Sequence, residues 1–100
     1  MKPTQRQAPL HPQTLGYLGR ALSLELSAVQ QYLTQAVLAE SWGLPEAAAR
    51  FRTETVEEMR HAERLVQHML GLGVAPNASS LRPAAVGRSL GDLLLQDARL

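Results

Sequence analysis

The sequence contains no cysteine and few aromatic residues, and these absences exclude several classes of protein. Without cysteine the chain can form neither a disulfide framework nor a thiolate metal site. One Trp, two Tyr and one Phe leave a core that must be mainly aliphatic. The stretch from Met1 to Leu10 lacks the apolar segment of a secretory signal, and no apolar run approaches the roughly 20 residues of a membrane span. A reducing, cytoplasmic location is therefore expected.

The charged residues are few and balanced. Ten basic and nine acidic residues give a formal net charge of +1, and nothing in this balance indicates the clustered basic face of a nucleic-acid-binding protein. Hydrophobic residues make up 45% of the 100 residues and charged residues 19%, which is typical of a globular chain. We therefore expect a single domain whose partners include neither nucleic acid nor a membrane.

Long amphipathic helices account for most of the sequence. Residues 1–11 are rich in Gln, Pro and Thr and are expected to form a flexible tail. Apolar residues then recur at steps of three and four, which predicts one helix over about 12–41 and a second over about 45–70. A loop with several Gly, Pro and Ser residues over 71–87 precedes a third helix, which is expected to begin at about residue 88.

The lengths of the connections indicate how these helices pack. Only a few residues around Trp42 and Gly43 separate the first two helices, so they are expected to form an antiparallel hairpin. Each long helix has an apolar stripe that other helices must cover, and the second connection is long enough to be a crossover. The predicted fold class is all-α: a four-helix bundle, represented here by its first hairpin, the crossover loop and the start of the third helix.

Ionisable residues interrupt the apolar arcs of both long helices. Glu25 lies inside the arc of helix one, between Leu22 and Val29, where a buried carboxylate without a partner would cost several kcal/mol. Glu58 lies within the arc of helix two, and His61 follows three residues later on the same side. Taken alone, Glu25 fits a position at the edge of its stripe, and His61 fits a surface imidazole.

The distances of the two glutamates from the turn favour another interpretation. Glu25 precedes Trp42 by seventeen residues and Glu58 follows it by sixteen, so an antiparallel hairpin places them at one level. Two carboxylates about 4 Å apart repel by roughly 4 kcal/mol at an effective dielectric constant of about 20, which a core tolerates only with a proton or a cation between them. One Glu from one helix and Glu-x-x-His from the next form half of a carboxylate-bridged di-metal site. Such ligands suit iron or manganese.

At these residues the sequence resembles the bacterioferritins, a family of ferritin-like proteins. The resemblance covers about residues 14–100 without a gap and rests on several stretches taken together. It implies a ferritin-like four-helix bundle. The matching stretches are Glu25-Leu26-Ser27-Ala28-Val29-Gln30-Gln31-Tyr32, Ser41-Trp42-Gly43-Leu44, Glu54-Thr55-Val56-Glu57-Glu58-Met59-Arg60-His61-Ala62-Glu63 and Gly73-Val74-Ala75-Pro76-Asn77.

The resemblance implies catalytic and metal-binding roles for individual residues. Glu25 would be a terminal ligand of one iron, Glu58 would bridge both irons, and His61 would supply the imidazole ligand. Tyr32 falls where the family has a tyrosine beside the di-iron centre, and Glu54 would lie next to the ligands on helix two. Such a centre is a ferroxidase: it oxidises Fe(II) with oxygen or peroxide.

The resemblance further implies a haem cofactor. Met59 falls where bacterioferritins place the methionine that ligates haem b, one from each subunit of a dimer. It follows Glu58 by one residue and so points about 100° away from it, which lets one helix direct iron ligands inward and Met59 toward a neighbour. The alternative is that Met59 packs in a dimer interface, a role that methionine performs well.

The resemblance also implies a homo-oligomer, since the family stores its iron mineral inside a hollow 24-subunit shell built from dimers. The outer face of helix one supports assembly, because a free surface usually carries more charge than this one does. We therefore expect this face to pack against other subunits. Its polar residues are Gln30, Gln31, Thr34 and Gln35.

Several alternatives remain open. A complete family member has further ligands on helices three and four, and by alignment the third-helix Glu would directly follow Leu100. We expect the chain to be a fragment, since it stops within a helix; the alternative is a natural half-ferritin in which two chains together supply four Glu and two His. A non-catalytic helical assembly module and another di-metal redox bundle are the competing functions.

Overall fold

A computed structural model describes residues 11–78 and 81–98 of the chain. It contains three helices, α1 (Pro12–Ser41), α2 (Pro45–Gly71) and α3 (Leu90–Asp97). No β-strand occurs within the described ranges, so the predicted all-α class is confirmed. Of the predicted tail, residues 1–10 lie outside the described residues. No helix among the described residues is both long enough and apolar enough to cross a membrane.

The turn between α1 and α2 is tight because a glycine closes it. Gly43 has a φ of 73°, a left-handed conformation that costs glycine little. Its N–H donates to the Glu40 carbonyl at 3.0 Å, and the Leu44 N–H donates to the Ala39 carbonyl at 2.9 Å. This hydrogen-bond pattern is the Schellman motif, which satisfies the last carbonyls of a helix. Pro45 then begins α2, and the two long helices run antiparallel.

The hairpin has two apolar clusters, one toward each end, with a more polar region between them. The cluster nearer the turn joins both long helices to α3, and the other joins the start of α1 to the end of α2. The buried members of the first are Ala36, Ala39, Ala48, Phe51 and Leu93, and those of the second are Leu18, Leu22, Ala62 and Met69.

Small polar residues fill part of the region between the clusters. Ser23, Ser27 and Thr55 are buried there. The Ser23 and Thr55 hydroxyls donate to carbonyls of their own helices, four residues earlier, at 2.9 and 2.8 Å. Because the Ser23 and Thr55 side chains are short and bond within their own helices, the helices can approach closely here without leaving either hydroxyl unpaired.

One face of α1 contradicts the sequence-based expectation. Gln31 and Gln35 were expected on an outer face that contacts other subunits, but both are buried within the chain, at 5% and 0% exposure. The crossover segment, which we define as residues 72–78 and 81–89, folds back along this face, and α3 continues beside it. The crossover backbone is irregular, so its polar groups need partners; the Gln31 amide pairs with Ala85, and the Gln35 amide bonds the Leu93 carbonyl of α3. Gln30, by contrast, is exposed as expected.

The third helix begins at Leu90, slightly later than about residue 88, because Ser89 is its N-cap. The Ser89 hydroxyl accepts the Asp92 N–H at 3.2 Å, while the Asp92 carboxylate accepts the Arg88 N–H at 3.0 Å. Leu93 is the only buried residue that α3 contributes within its described span, and it inserts fully into the cluster near the turn.

We predict that Leu93 anchors α3 to the hairpin. Replacing Leu93 with Ala removes a side chain of 0% exposure and should lower the free energy of unfolding by about 2 kcal/mol or more. Leu94 is 56% exposed, so Leu94→Ala, the matched control, should change stability by less than about 0.5 kcal/mol. Urea unfolding followed by circular dichroism measures both. Equal effects of the two variants would contradict the anchoring role.

Candidate metal centre

The structure brings together three ionisable side chains from the two long helices. Glu25 extends from α1, and Glu58 and His61 extend from α2, at the level between the two apolar clusters. Each offers one ligand atom, and these atoms all lie within 4.8 Å of one another. The His61 Nδ1 atom is 3.5 Å from Glu25 Oε2 and 3.5 Å from Glu58 Oε2. No other such group of three occurs among the described residues.

Helix geometry explains why these three residues meet. Glu58 and His61 are three residues apart, so both project from one side of α2 toward α1. The tight turn fixes the relative height of the two helices and sets Glu25 opposite them. The side chains differ in exposure: Glu58 and Glu25 are 21% and 27% exposed, whereas His61 is 43% exposed. The imidazole therefore forms the more open edge of the cluster.

The electrostatic environment of Glu25 is unfavourable for a free carboxylate. The pKa of Glu25 is raised to about 7, chiefly by burial and then by a hydrogen bond and charge repulsion with the neighbouring Glu58, while His61 opposes the shift. The Oε2 atom is buried and has no well-formed hydrogen bond within the described part of the chain. A buried oxygen in this state requires a proton or a cation.

A cavity of about 590 Å³ opens beside the two glutamates. One wall belongs to the hairpin and includes Glu25, Glu58 and Tyr32. The opposite wall belongs to the crossover segment and α3 and includes Arg82 and Asp97. The cavity therefore gives a small solute access to the glutamates between the hairpin and the segment that folds over it.

The other predicted site residues take different positions. Tyr32 lines the cavity, and its pKa is raised by burial and then by the negative charges of Asp97, Glu54 and Glu58. Glu54 is partly buried on α2 but does not line the cavity. Met59 is 53% exposed and lies outside both the cavity and the carboxylate cluster.

Sequence reasoning missed Asp97. This carboxylate lies at the end of α3, and its Oδ1 atom is buried without a hydrogen-bond partner among the described residues. Burial raises its pKa, a hydrogen bond from Gln35 lowers it, and the charge of Glu54 raises it. An available signal was the spacing within α3: Asp97 follows Leu93 by four residues, so both lie on the face that packs against the hairpin.

The donor set fits a divalent metal such as iron. Two carboxylates and one imidazole converge from two helices, and Glu25 Oε2 has no hydrogen bond from any residue that the structure describes. Oxygen and imidazole ligands suit iron, manganese and related ions, and the cluster includes no thiolate. Three ligands on one side leave further coordination positions open.

Comparisons with known proteins agree with this arrangement. The ferritin-like domain family matches residues 15–97. The chain belongs to the ferritin-like family. Bacterioferritin from Mycobacterium leprae is 38% identical over 79 residues, which is 79% of this chain and 50% of that protein. Bacterioferritin from Rhodobacter capsulatus is 39% identical over 71 residues, or 71% of this chain and 44% of its relative. The resemblance to bacterioferritins is thus confirmed.

A solved structure of Rhodobacter capsulatus bacterioferritin extends the agreement to three dimensions. It superposes with a TM-score of 0.84 at 33% identity and covers 92% of this ferritin-like chain and 57% of the other chain. The predicted ferritin-like bundle is therefore confirmed for the part present here. The chain spans about half the length of the curated relatives it matches.

We predict that the buried Glu25 makes stability depend on pH in the metal-free protein. The folded state keeps the Glu25 proton up to about pH 7, whereas the unfolded chain loses it near pH 4.5, so stability should fall as pH rises between these values. The side chain in Glu25→Gln cannot ionise. As pH rises through this range, the free energy of unfolding of the variant should therefore increase by on the order of 2 kcal/mol relative to that of wild type.

The control for this prediction is Glu57→Gln, since Glu57 is exposed and pairs with Arg60 at the surface. Urea unfolding at about pH 5 and pH 8 in the presence of a chelator measures all three proteins. A stability difference between wild type and Glu25→Gln that stays constant with pH would contradict the buried, protonated state of Glu25.

Proposed function

We propose that the chain is the iron-binding hairpin of a bacterioferritin-type ferroxidase and iron-storage subunit. Glu25, Glu58 and His61 bind Fe(II), the substrate, and contribute half of a di-iron centre. The observation that carries the proposal is the convergence of their ligand atoms within 4.8 Å around a buried Glu25 oxygen that accepts no hydrogen bond from any residue in 11–78 or 81–98. Fe(II) supplies the positive charge that this cluster otherwise obtains only from a proton.

The relatives support iron as the metal. The Rhodobacter capsulatus protein was described with a metal-free dinuclear site and a haem iron, and the curated relatives are bacterioferritins. The overlap between this chain and the Rhodobacter structure includes both helices that provide the cluster. The proposal for this chain then follows from its own donor set, which includes oxygen and imidazole groups of the type that bind iron.

The residues present here can prepare the site for oxidation of Fe(II). Entry of a cation displaces the proton that Glu25 holds, and the cavity gives that proton a route to solvent. Glu58 Oε2 lies 3.5 Å from His61 Nδ1, so both residues would hold one metal, and Glu58 would be shared with the second. Two Fe(II) ions supply two electrons, and the solvent supplies two protons. Together these convert oxygen to hydrogen peroxide, or hydrogen peroxide to water.

The remaining ligands must come from other helices. In one arrangement they belong to the third and fourth helices of a longer subunit, and storage takes place in the 24-subunit shell of the family. In the alternative, a half-ferritin, a second copy of this hairpin supplies Glu25, Glu58 and His61 again. Both arrangements cover the exposed apolar residues of the hairpin and α3, among them Leu24, Leu94 and Leu95. A cytoplasmic location agrees with the absence of cysteine.

The test compares His61→Ala with His68→Ala. Loss of an imidazole ligand should weaken Fe(II) binding at least about tenfold, the lower range seen even for residues that only support a ligand. His68 lies near the end of α2, is exposed and belongs to no metal-ligand group among the described residues, so its variant should bind like wild type. Anaerobic Fe(II) titration measures affinity and stoichiometry, and oxygen consumption measures oxidation.

Sedimentation velocity on the same samples separates the arrangements. If a second chain completes the site, Fe(II) should shift the population toward dimers, because a metal that binds only the paired form stabilises it by mass action. Equal Fe(II) affinity in wild type and His61→Ala would reject the iron site and favour a non-catalytic assembly module. Rapid iron oxidation by a stable monomer would reject the half-site description.

We further propose that Met59 is an axial ligand of haem b at a contact between two chains. Met59 is 53% exposed on the outside of the hairpin and has Val56, also exposed, one helical turn away. In the Rhodobacter capsulatus protein the haem iron occupies a crystallographic special position. A methionine from each of two equivalent chains would provide two identical ligands for such an iron.

The corresponding prediction uses Met59→Leu, a substitution that keeps volume and apolar character. Wild type mixed with haem should show a red-shifted, low-spin Soret band and form a dimer, and the variant should lose both. Met69→Leu is the control, because Met69 is buried in the cluster away from the turn and should leave haem binding unchanged. Haem binding of equal strength in wild type and Met59→Leu would contradict this role.

A further inference from the structure

The side chain of Gln31 forms an unusual two-way contact with the crossover segment. Its Oε1 atom accepts the Ala85 N–H at 2.7 Å, and its Nε2 atom donates to the Ala85 carbonyl at 3.2 Å. A side-chain amide thus pairs with both polar groups of one backbone residue, 54 positions away in sequence. The same Nε2 atom lies 3.3 Å from Gln96 Oε1, which extends the contact to α3.

Two further α1 residues continue this contact along the helix. The Ser27 hydroxyl accepts the Arg82 N–H at 2.9 Å, and the Gln35 amide donates to the Leu93 carbonyl at 3.3 Å. Ser27, Gln31 and Gln35 are spaced four residues apart, so they form one row on α1. We call these three residues the polar row.

Apolar residues hold the crossover segment near the hairpin, since Leu72 and Val74 at its start pack on the cluster away from the turn, and the polar row fixes its register along α1. Leu93 inserts into the core, but apolar contact is non-directional and permits sliding and rotation. The hydrogen bonds of Gln31 are directional and buried, and they specify which crossover residue lies opposite which turn of α1. Of the three residues in the row, Gln31 makes the largest number of these bonds and occupies its centre.

The segment held in this way forms the far wall of the cavity that Glu25 and Glu58 line. Gln31 itself lines the cavity, together with Ala85 and Gln96, its two partners. Asp97 follows Gln96 directly and lines the same cavity, opposite the hairpin wall that carries Glu25 and Glu58. The contacts of Gln31 with Ala85 and Gln96 therefore also determine the position of the Asp97 carboxylate.

We propose that Gln31 is a positioning residue for the metal site, because its amide fixes the crossover wall and thereby holds Asp97 across the cavity from Glu25 and Glu58. The inference has two parts. The placement of the crossover wall by Gln31 concerns the metal-free chain alone, whereas the effect of that wall on metal binding rests on the proposed iron-binding function. With the wall in place the cavity is lined by three acidic residues and one basic residue, Arg82, a charge balance that favours a cation; with the wall detached, water reaches the two hairpin glutamates.

The experiment uses the full chain and compares Gln31→Leu with Gln30→Leu. Gln31→Leu keeps similar volume but removes all three polar contacts, whereas the neighbouring Gln30 is exposed and lies outside the cavity. Hydrogen exchange of the Ala85 amide, measured without metal, shows whether the crossover wall stays bound to α1. We expect exchange at least about tenfold faster in Gln31→Leu only, with unchanged exchange in the centres of α1 and α2.

Co(II), a spectroscopic probe that oxygen does not readily oxidise in such sites, reports the metal site. We expect Gln31→Leu to bind Co(II) several-fold more weakly than wild type and Gln30→Leu to bind it equally well. Faster Ala85 exchange with unchanged Co(II) affinity would overturn the positioning role. Unchanged Ala85 exchange would overturn the placement of the wall by Gln31. Absence of Co(II) and Fe(II) binding in wild type would overturn the proposed function itself, and with it the effect on metal.

A second variant, Gln31→Glu, separates hydrogen bonding from general packing. A protonated Glu has nearly the shape of Gln and can both accept from and donate to Ala85, whereas the carboxylate can only accept. At about pH 8 the carboxylate keeps the bond from the Ala85 N–H but cannot donate to the Ala85 carbonyl or to Gln96 Oε1, so the Gln96 amide of α3 should exchange faster than in wild type. Residues 13–22, remote from the row, serve as the internal reference. A Gln96 exchange rate equal to that of wild type would overturn the hydrogen-bond mechanism.

Discussion

The repulsion between two carboxylates held at one level of a helix hairpin is the constraint on which this structure depends. Glu25 and Glu58 face each other because a three-residue turn sets the register of α1 against α2. Burial and mutual repulsion make their joint ionisation unfavourable, so the metal-free hairpin holds a proton there up to about pH 7, and in the proposed function Fe(II) takes its place. The two apolar clusters supply the stability that this arrangement costs, one on each side of the site.

The first helix serves two different purposes on two of its faces. One face carries Glu25 and packs against α2, and another carries the polar row and binds the crossover segment. Because the two faces belong to one rigid helix, the carboxylate cluster and the wall that encloses it share a common frame. The site is therefore built from segments distant in sequence, yet α1 contributes to both its inner and its outer parts.

Sequence spacing could predict the local features but not the contacts of the crossover. Periodic apolar residues indicate α1 and α2, and equal distances from Trp42 indicate that Glu25 and Glu58 meet. Gln31 and Gln35 looked like surface residues because their backbone partners, Ala85 in the crossover segment and Leu93 in α3, are more than 50 positions away. Backbone partners leave no pattern of side chains that a sequence can show. Asp97 could not be predicted for a related reason: the surroundings of its carboxylate depend on how the crossover segment and α3 pack on the hairpin.

The Schellman turn at Gly43 has a consequence for how the length of this chain can vary. Adding one residue between Glu25 and Glu58 would rotate everything beyond it by about 100° and shift it by about 1.5 Å along the helix, which would turn one carboxylate away from the other. Insertions and deletions in this interval should therefore be rare among descendants of the same ancestral gene. Changes in length that fall in the crossover before Arg82, the polar row's first contact, would move neither Glu25 nor Glu58 and can accumulate more easily.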